Sequence, residues 1–152
     1  MADLLSLQKR AADGEKLAIL TGYDASFATQ LEAAGIDAIL VGDSLGMVIQ
    51  GQRSTLPVSL ADMAYHTSAV ARGATNTLII TDLPFGSYQA SPAQALQSAS
   101  TLMAAGANCV KLAGAGFMLV TITLLTHTTT PVCDHLVLRP QSYHSLRVQH
   151  LS

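Results

Sequence analysis

Short apolar runs alternate with segments of helical periodicity along most of the chain. The apolar runs stop abruptly at turn-forming residues, as the buried strands of a parallel sheet do. These predicted strands cover residues 17–20, 38–41, 78–80 and 108–110. Helices are predicted at residues 6–13, 24–35, 59–73 and 91–106. The resulting alternation of strands and helices predicts a parallel sheet with right-handed crossovers.

Capping residues set the predicted helix boundaries. Ser59 and Asp62 have the spacing of a capping box, in which each side chain bonds the other residue's backbone. Pro92 occupies a first helical turn, where its missing N–H costs nothing, and Gly106 suits the left-handed residue after a helix. Residues 43–58 are predicted as a long loop without regular structure. Long loops after a strand often carry function.

Polar side chains follow successive strands. They are Tyr23 and Asp24, Asp43 and Ser44, Asp82, and Lys111. A doubly wound sheet gathers its ligand groups at one switch point, whereas a closed barrel collects them from many strands around one mouth. The even distribution therefore favours a barrel. Taken alone, Asp43 could also be a loop residue that only caps the next helix.

Two carboxylates and one ammonium at a barrel mouth make a coherent chemical site. Asp43 and Asp82 offer hard oxygen ligands of the kind that Mg²⁺ prefers. Lys111 could balance an anionic substrate or an enolate formed from it, and Ser44 could hydrogen-bond a substrate carboxylate. An α-keto acid chelating Mg²⁺ would become acidic at the adjacent carbon, because the metal stabilises the enolate.

Composition favours a single domain whose apolar surface is partly covered by a partner subunit or by a further part of the fold. The chain has 152 residues, of which 49% are hydrophobic and only 12% are charged. Its mean hydropathy of +0.37 is high for a domain that must face water on all sides. We therefore expect a partner subunit, or a further part of the fold, to cover the excess apolar surface. The net charge of −2 gives no reason to expect nucleic acid or an anionic membrane as a partner.

The sequence predicts a cytoplasmic protein. Residues 1–10 lack the apolar segment of a signal peptide. The longest uncharged run, residues 112–133, is interrupted by glycines, threonines and Pro131, so we expect no membrane span. Cys109 and Cys133 lie in apolar sequence surroundings and are predicted to be reduced core residues.

Beyond Lys111 the pattern is less regular. Residues 117–125 are rich in β-branched side chains and carry no charge, which makes them the segment most prone to aggregation. Residues 131–133 are predicted as a fifth strand that ends at Asp134 and His135. Four of the five histidines lie among the last 26 residues without regular metal-ligand spacing, so we interpret them mainly as incidental.

Five segments of the chain, in order and with matching spacing, resemble the ketopantoate hydroxymethyltransferase family. The resemblance is close from about residue 5 to Lys111 and looser to about residue 141. The segments are LTGYD (20–24), LVGDSLGMVIQG (40–51), STLPVSLADMAYH (54–66), TDLPFGSY (81–88) and AGANCVKL (105–112).

The resemblance implies a (βα)₈ TIM barrel related to the phosphoenolpyruvate/pyruvate group of enzymes. It implies a transferase of pantothenate biosynthesis that passes a hydroxymethyl group from 5,10-methylenetetrahydrofolate to 3-methyl-2-oxobutanoate, giving 2-dehydropantoate. Mg²⁺ would be the metal, and the keto acid and the folate would be the small-molecule partners. Members of the family form homo-oligomers, while neither nucleic acid nor membrane is expected as a partner.

Carried over residue by residue, the resemblance assigns a metal site to Asp43 and Asp82. It assigns contacts with the keto acid to Ser44, Asp82, Lys111 and His135. Ala113 stands where the family has a third, metal-associated acid. The glutamate that serves the family as general base has no counterpart here, so no catalytic residue is assigned.

These departures lead us to expect a single partial TIM-barrel domain over residues 1–152, with about five of the eight βα units. Residues 1–111 are family-like and residues 112–152 form a divergent tail. Two alternatives to an active transferase stay open. One is an inactive, truncated remnant that still binds keto acid or family subunits, and the other is a different enzyme of the phosphoenolpyruvate/pyruvate barrel group.

Overall fold

A computed structural model describes residues 3–113, 118–128 and 130–135 of the chain. Its described strands form one five-stranded parallel sheet in the order β1-β2-β3-β4-β5. The strands are β1 Ile19–Thr21, β2 Ala38–Val41, β3 Leu78–Asp82, β4 Cys109–Ala113 and β5 Val132–His135. The helices are α1 Leu4–Ala12, α2 Ala25–Ala33, α3 Leu45–Val48, α4 Leu60–Gly73, α5 Pro92–Ala105 and α6 Leu119–His127.

All five predicted strands are confirmed, β2 with the predicted bounds and the others with shifts of up to three residues at their ends. The shifts have a consequence for the site, because β3 and β4 run further than the apolar runs did. Asp82 is the last residue of β3, and Lys111 lies inside β4. The sheet hydrogen bonds therefore hold both residues on rigid strands rather than in loops.

The predicted helix caps are confirmed. Ser59 and Asp62 form a reciprocal capping box at the start of α4, with both hydrogen bonds at 3.0 Å. Asp24 accepts the backbone N–H of Phe27 at the start of α2, so it caps a helix rather than joining the strand-end chemistry. Gly106 ends α5 with a φ of 119°, a conformation that glycine adopts without steric cost.

The crossover helices α2, α4, α5 and α6 cover one face of the sheet. Side chains alternate between the two faces of a strand. The strand residues of the helix-covered face include Ile39, Val41, Ile79, Val110 and Leu112, and they share one core with helix residues such as Leu31, Met63, Val70, Leu102 and Leu125. The opposite face, here called the inner face, carries Ala38, Leu78, Ile80 and Cys109, which pack with Leu7 of α1.

This arrangement is that of a barrel wall. The strands follow one another in sequence order without a reversal, and their crossover helices lie on the same face. A doubly wound sheet would reverse its strand order and carry helices on both faces. The prediction of a barrel over a doubly wound sheet is therefore confirmed, with five strands described.

The predicted loop at residues 43–58 is wrong in one part, because it contains the helical turn α3, Leu45–Val48. The turn lacks the usual sequence signal, since the hydroxyl of Ser44 caps nothing. Burial stabilises it instead, because the side chain of Leu45 is completely buried in the core. An isolated turn of this length has no intrinsic stability and can be found only from its tertiary packing.

Near the end of the described chain, one prediction is wrong and another stays a prediction. Cys109 is buried as expected, but Cys133 is exposed, because β5 is the edge strand of the described sheet. Most of the uncharged segment 117–125 forms α6, whose Thr121 and Leu125 are buried while Leu119 and Val120 are exposed. Phe117 lies outside the described residues, as do the last 17 residues of the chain. The aggregation of this segment stays a prediction.

Candidate active site

Three neighbouring strands, β2, β3 and β4, bring the predicted residues together. Asp43 and Ser44 follow β2 after the single residue Gly42, and Asp82 ends β3. The register pairs Asp82 with Lys111 on β4. Because Ile80 and Cys109 lie on the inner face and side chains alternate, Asp82 and Lys111 also belong to that face.

Asp82 connects the three strands through its carboxylate. The ammonium of Lys111 lies 2.6 Å from Oδ1 of Asp82, and the backbone N–H of Asp43 donates to Oδ2 at 3.0 Å. The side chains of Asp82 and Lys111 are 11% and 24% exposed, so this ion pair is only partly screened by water. The fold thus brings Asp43 and Asp82, which lie 39 positions apart in the sequence, into direct contact.

Gly42 leaves room for this arrangement. A Cβ at this position would lie 3.1 Å from Oγ of Ser44 and 3.3 Å from Oδ2 of Asp82. Such contacts are tighter than most Cβ contacts in proteins, so a side chain here would press on both functional groups. The glycine that the sequence shows as a strand terminator is therefore also part of the site's shape.

A fourth strand end contributes a group that sequence reasoning did not assign. The hydroxyl of Tyr23, just beyond β1, lies 2.8 Å from Oγ of Ser44. The carbonyl of Tyr23 is in turn 2.8 Å from Nδ1 of His66 on α4. The position of Tyr23 after a strand was visible in the sequence, but nothing there indicated that it bonds Ser44. No sequence signal pointed to His66.

The end of β4 is held by Tyr88. Its buried hydroxyl donates to the carbonyl of Ala113 at 3.1 Å and lies 3.4 Å from the backbone N of the same residue. The register pairs Ala113 with His135, the last residue of β5. His135 therefore sits at the same edge of the sheet as the other predicted residues, one strand beyond Lys111.

The donor set suits a hard cation in an open site. Asp43 and Asp82 are buried carboxylates at adjacent strand ends. Mg²⁺ binds through one or two carboxylates and keeps several waters or substrate oxygens. Within the described ranges no group of three or more His, Cys, Asp and Glu residues could enclose a metal ion. The two carboxylates thus fit a cation that shares its coordination with water or a ligand.

Comparison with known proteins shows to which family the chain is similar. The family model described as Ketopantoate hydroxymethyltransferase matches residues 2–150. The 3-methyl-2-oxobutanoate hydroxymethyltransferase of Azoarcus sp. (strain BH72) is 57% identical over 143 residues, which cover 94% of this chain and 53% of that protein. The enzyme of the same name from Neisseria meningitidis serogroup A is 56% identical, covering 93% and 54%. The chain thus spans about half the length of the curated relatives it matches.

Solved structures with a similar fold support the barrel. Oxaloacetate acetylhydrolase matches with a TM-score of 0.63 at 13% identity, over 87% of this chain and 52% of that one. A 2,3-dimethylmalate lyase, of the PEP mutase/isocitrate lyase superfamily, matches with a TM-score of 0.62 at 15% identity, over 86% and 50%. Phosphonopyruvate hydrolase, solved with oxalate and Mg²⁺, matches with a TM-score of 0.61 at 17% identity, over 77% of this chain and 40% of that one.

In the part of the chain that the structure describes, no helix is long and apolar enough to span a membrane.

Proposed function

Since the chain belongs to the ketopantoate hydroxymethyltransferase family, we propose that its strand-end site binds 3-methyl-2-oxobutanoate together with a divalent cation. The reaction we propose is transfer of a hydroxymethyl group from 5,10-methylenetetrahydrofolate to this keto acid, giving 2-dehydropantoate for pantothenate synthesis. The observation that carries the proposal is the contact of Asp82, at the end of β3, with Asp43 after β2 and with Lys111 on β4.

Asp43 and Asp82 would hold the cation, which we propose to be Mg²⁺. When bound, Mg²⁺ would act as a Lewis acid that stabilises the enolate form of the keto acid. The two carboxylates suit this task because both are largely shielded from solvent, where their interaction with a dication is stronger than in water.

Lys111 and Ser44 would bind the carboxylate of the keto acid. Lys111 supplies the only cation in the contact network of Asp82 that the structure describes, and its partial exposure lets a ligand reach it. Ser44 shares a hydrogen bond with Tyr23. If the phenol of Tyr23 donates to Ser44, the hydroxyl hydrogen of Ser44 stays available for a substrate oxygen. His135, at the end of β5, would contact the substrate from the neighbouring strand.

Proton removal from C3 of the keto acid needs a base. The resemblance places a third, metal-associated acid at position 113, where this chain has Ala113. Ala113 therefore favours a second candidate function, a chain that binds the keto acid without completing the transfer. Both candidates share the same binding step.

Isothermal titration calorimetry with 3-methyl-2-oxobutanoate, in the presence of Mg²⁺, tests that step. The variants Asp43→Asn and Asp82→Asn remove one site charge each, and Asp13→Asn makes the same change at an exposed residue paired with Lys9. We expect binding by the wild type and by Asp13→Asn, and a loss of at least tenfold in affinity for both site variants. Equal affinity in all four proteins would contradict the proposed site.

Measuring turnover with 5,10-methylenetetrahydrofolate separates the two candidate functions. Formation of 2-dehydropantoate by the purified chain would establish the transferase. Keto-acid binding without product would establish the binding function.

A further inference from the structure

The ammonium of Lys111 binds one of the two carboxylate oxygens of Asp82. It lies 2.6 Å from Oδ1 of Asp82, while Oδ2 already accepts the N–H of Asp43. Both carboxylate oxygens therefore have a donor in the described structure. A divalent cation that binds Asp82 must share the carboxylate with the ammonium or displace it.

Sharing is unfavourable because two cations, the divalent ion and the ammonium, would then repel each other at one carboxylate. A neighbouring unit charge in a partly solvated site weakens the binding of a dication by roughly tenfold or more. Asp43 and Asp82 are the carboxylates of the candidate site that offset Lys111. The formal charge of these three side chains is only −1, which makes the ammonium a large part of the balance.

A ligand carboxylate would remove this conflict. The Lys111 ammonium has three donors on a flexible stem, and its side chain is 24% exposed, so it can turn toward an incoming anion. A carboxylate that takes over the ammonium leaves Oδ1 of Asp82 to the cation. Because binding linkage is reciprocal, the cation must then raise the affinity for the carboxylate by the same factor.

We infer that Lys111 competes with the divalent cation for Asp82, and that the keto acid relieves the competition by taking over the ammonium. Lys111 thereby couples the two ligands, so that the cation binds weakly alone and tightly with the keto acid. The second half of this inference rests on the proposed function, because it names the keto acid. The first half concerns the cation alone and can be measured without any organic ligand.

Mn²⁺ serves as the probe, since its free concentration can be read directly by electron paramagnetic resonance. Lys111→Met removes the charge but keeps the length of the side chain, and Lys111→Gln is a second neutral variant in case the first does not fold. Lys111→Arg retains the charge. Lys9→Met is the matched control, because Lys9 makes an exposed ion pair with Asp13 far along the chain from the site. Far-UV circular dichroism checks that each variant is folded.

Without keto acid, we expect a neutral residue at position 111 to bind Mn²⁺ at least about tenfold more tightly than the wild type does. Lys111→Arg and Lys9→Met should stay within about twofold of the wild type. Neutral variants that bind Mn²⁺ no more tightly than the wild type, including the case in which neither binds, would overturn the competition.

Adding 3-methyl-2-oxobutanoate separates this inference from the proposed function. We expect the keto acid to tighten Mn²⁺ binding about tenfold in the wild type and much less in Lys111→Met. Tight Mn²⁺ binding by the neutral variants, with no effect of keto acid on the wild type, would uphold the competition and refute the proposed ligand. An equal effect of keto acid on wild type and Lys111→Met would refute the coupling through Lys111.

Discussion

Gly73, at the end of α4, allows α4 to pack directly against the start of α2. A Cβ at this position would lie 2.1 Å from the carbonyl oxygen of Ala25, and 2.8 Å from both its carbonyl carbon and its Cα. These are backbone atoms that cannot rotate away. Thr29 also donates a hydrogen bond of 2.9 Å to the carbonyl of Gly73. The replacement Gly73→Ala must therefore separate two helices.

The magnitude follows from these contacts. Non-bonded heavy atoms pack at about 3.5 Å or more, so the helices must separate locally by on the order of 1 Å. Overpacking of this kind costs about 1–3 kcal/mol. Loss of the Thr29 hydrogen bond adds about 1 kcal/mol. The better helix propensity of alanine returns less than about 1 kcal/mol. We expect Gly73→Ala to lower the free energy of unfolding by about 2–3 kcal/mol.

Urea denaturation followed by far-UV circular dichroism measures this difference. Gly35→Ala is the comparison, because Gly35 has a φ of +76° and no atom within 4 Å of an added Cβ. Its replacement should cost only the left-handed backbone conformation, about 1 kcal/mol. A Gly73→Ala protein as stable as Gly35→Ala, or more stable, would refute the described packing of α2 on α4.

Three further predictions concern single side chains. The hydrogen bond from the backbone N–H of Asn76 is the main reason why the pKa of Glu32 lies below its ordinary value of 4.5. The stability that Glu32 contributes is therefore complete above pH 4.5 and is lost as the pH falls through the lowered pKa. Unfolding curves of Glu32→Gln measured across acid pH should lack this loss, and an acid dependence equal to that of the wild type would contradict the prediction. Tyr23→Phe should lower the free energy of unfolding by about 1 kcal/mol, because it removes the hydrogen bond to Ser44; in a double-mutant cycle with Ser44→Ala the two losses should not add. Burial raises the pKa of Cys109 to about 12, so its thiol should react with a thiol reagent only after unfolding. Peptide mapping after timed labelling measures this, and labelling of Cys109 in the folded protein would refute it.

The sequence predicted the architecture because local signals and global topology agree here. Each strand is an apolar run ended by polar residues, and the crossover helices α2, α4 and α5 each begin at a side-chain cap. The barrel was inferred from polar groups spread over several strand ends. That inference holds because parallel strands in sequence order align their carboxyl ends at one edge of the sheet.

What the sequence did not predict depends on contacts between distant residues. The helical turn α3 is stabilised by burial of Leu45, and a single turn carries no periodicity to detect. The contact between Tyr23 and Ser44 joins β1 to β2, and only the fold gives that distance. Exposure of Cys133 follows from the position of β5 at the edge of the described sheet, which apolar sequence neighbours do not show.

Under the proposed function, the carboxylates after β2 and β3 support metal-assisted enolisation of a keto acid. Proton NMR of 3-methyl-2-oxobutanoate in D₂O, with Mg²⁺ and the purified chain, tests it most directly by following exchange of the hydrogen on C3. We expect exchange faster than in the protein-free sample, and a return to the protein-free rate with Asp43→Ala. Exchange at the protein-free rate in the presence of the folded wild-type chain would contradict the claim.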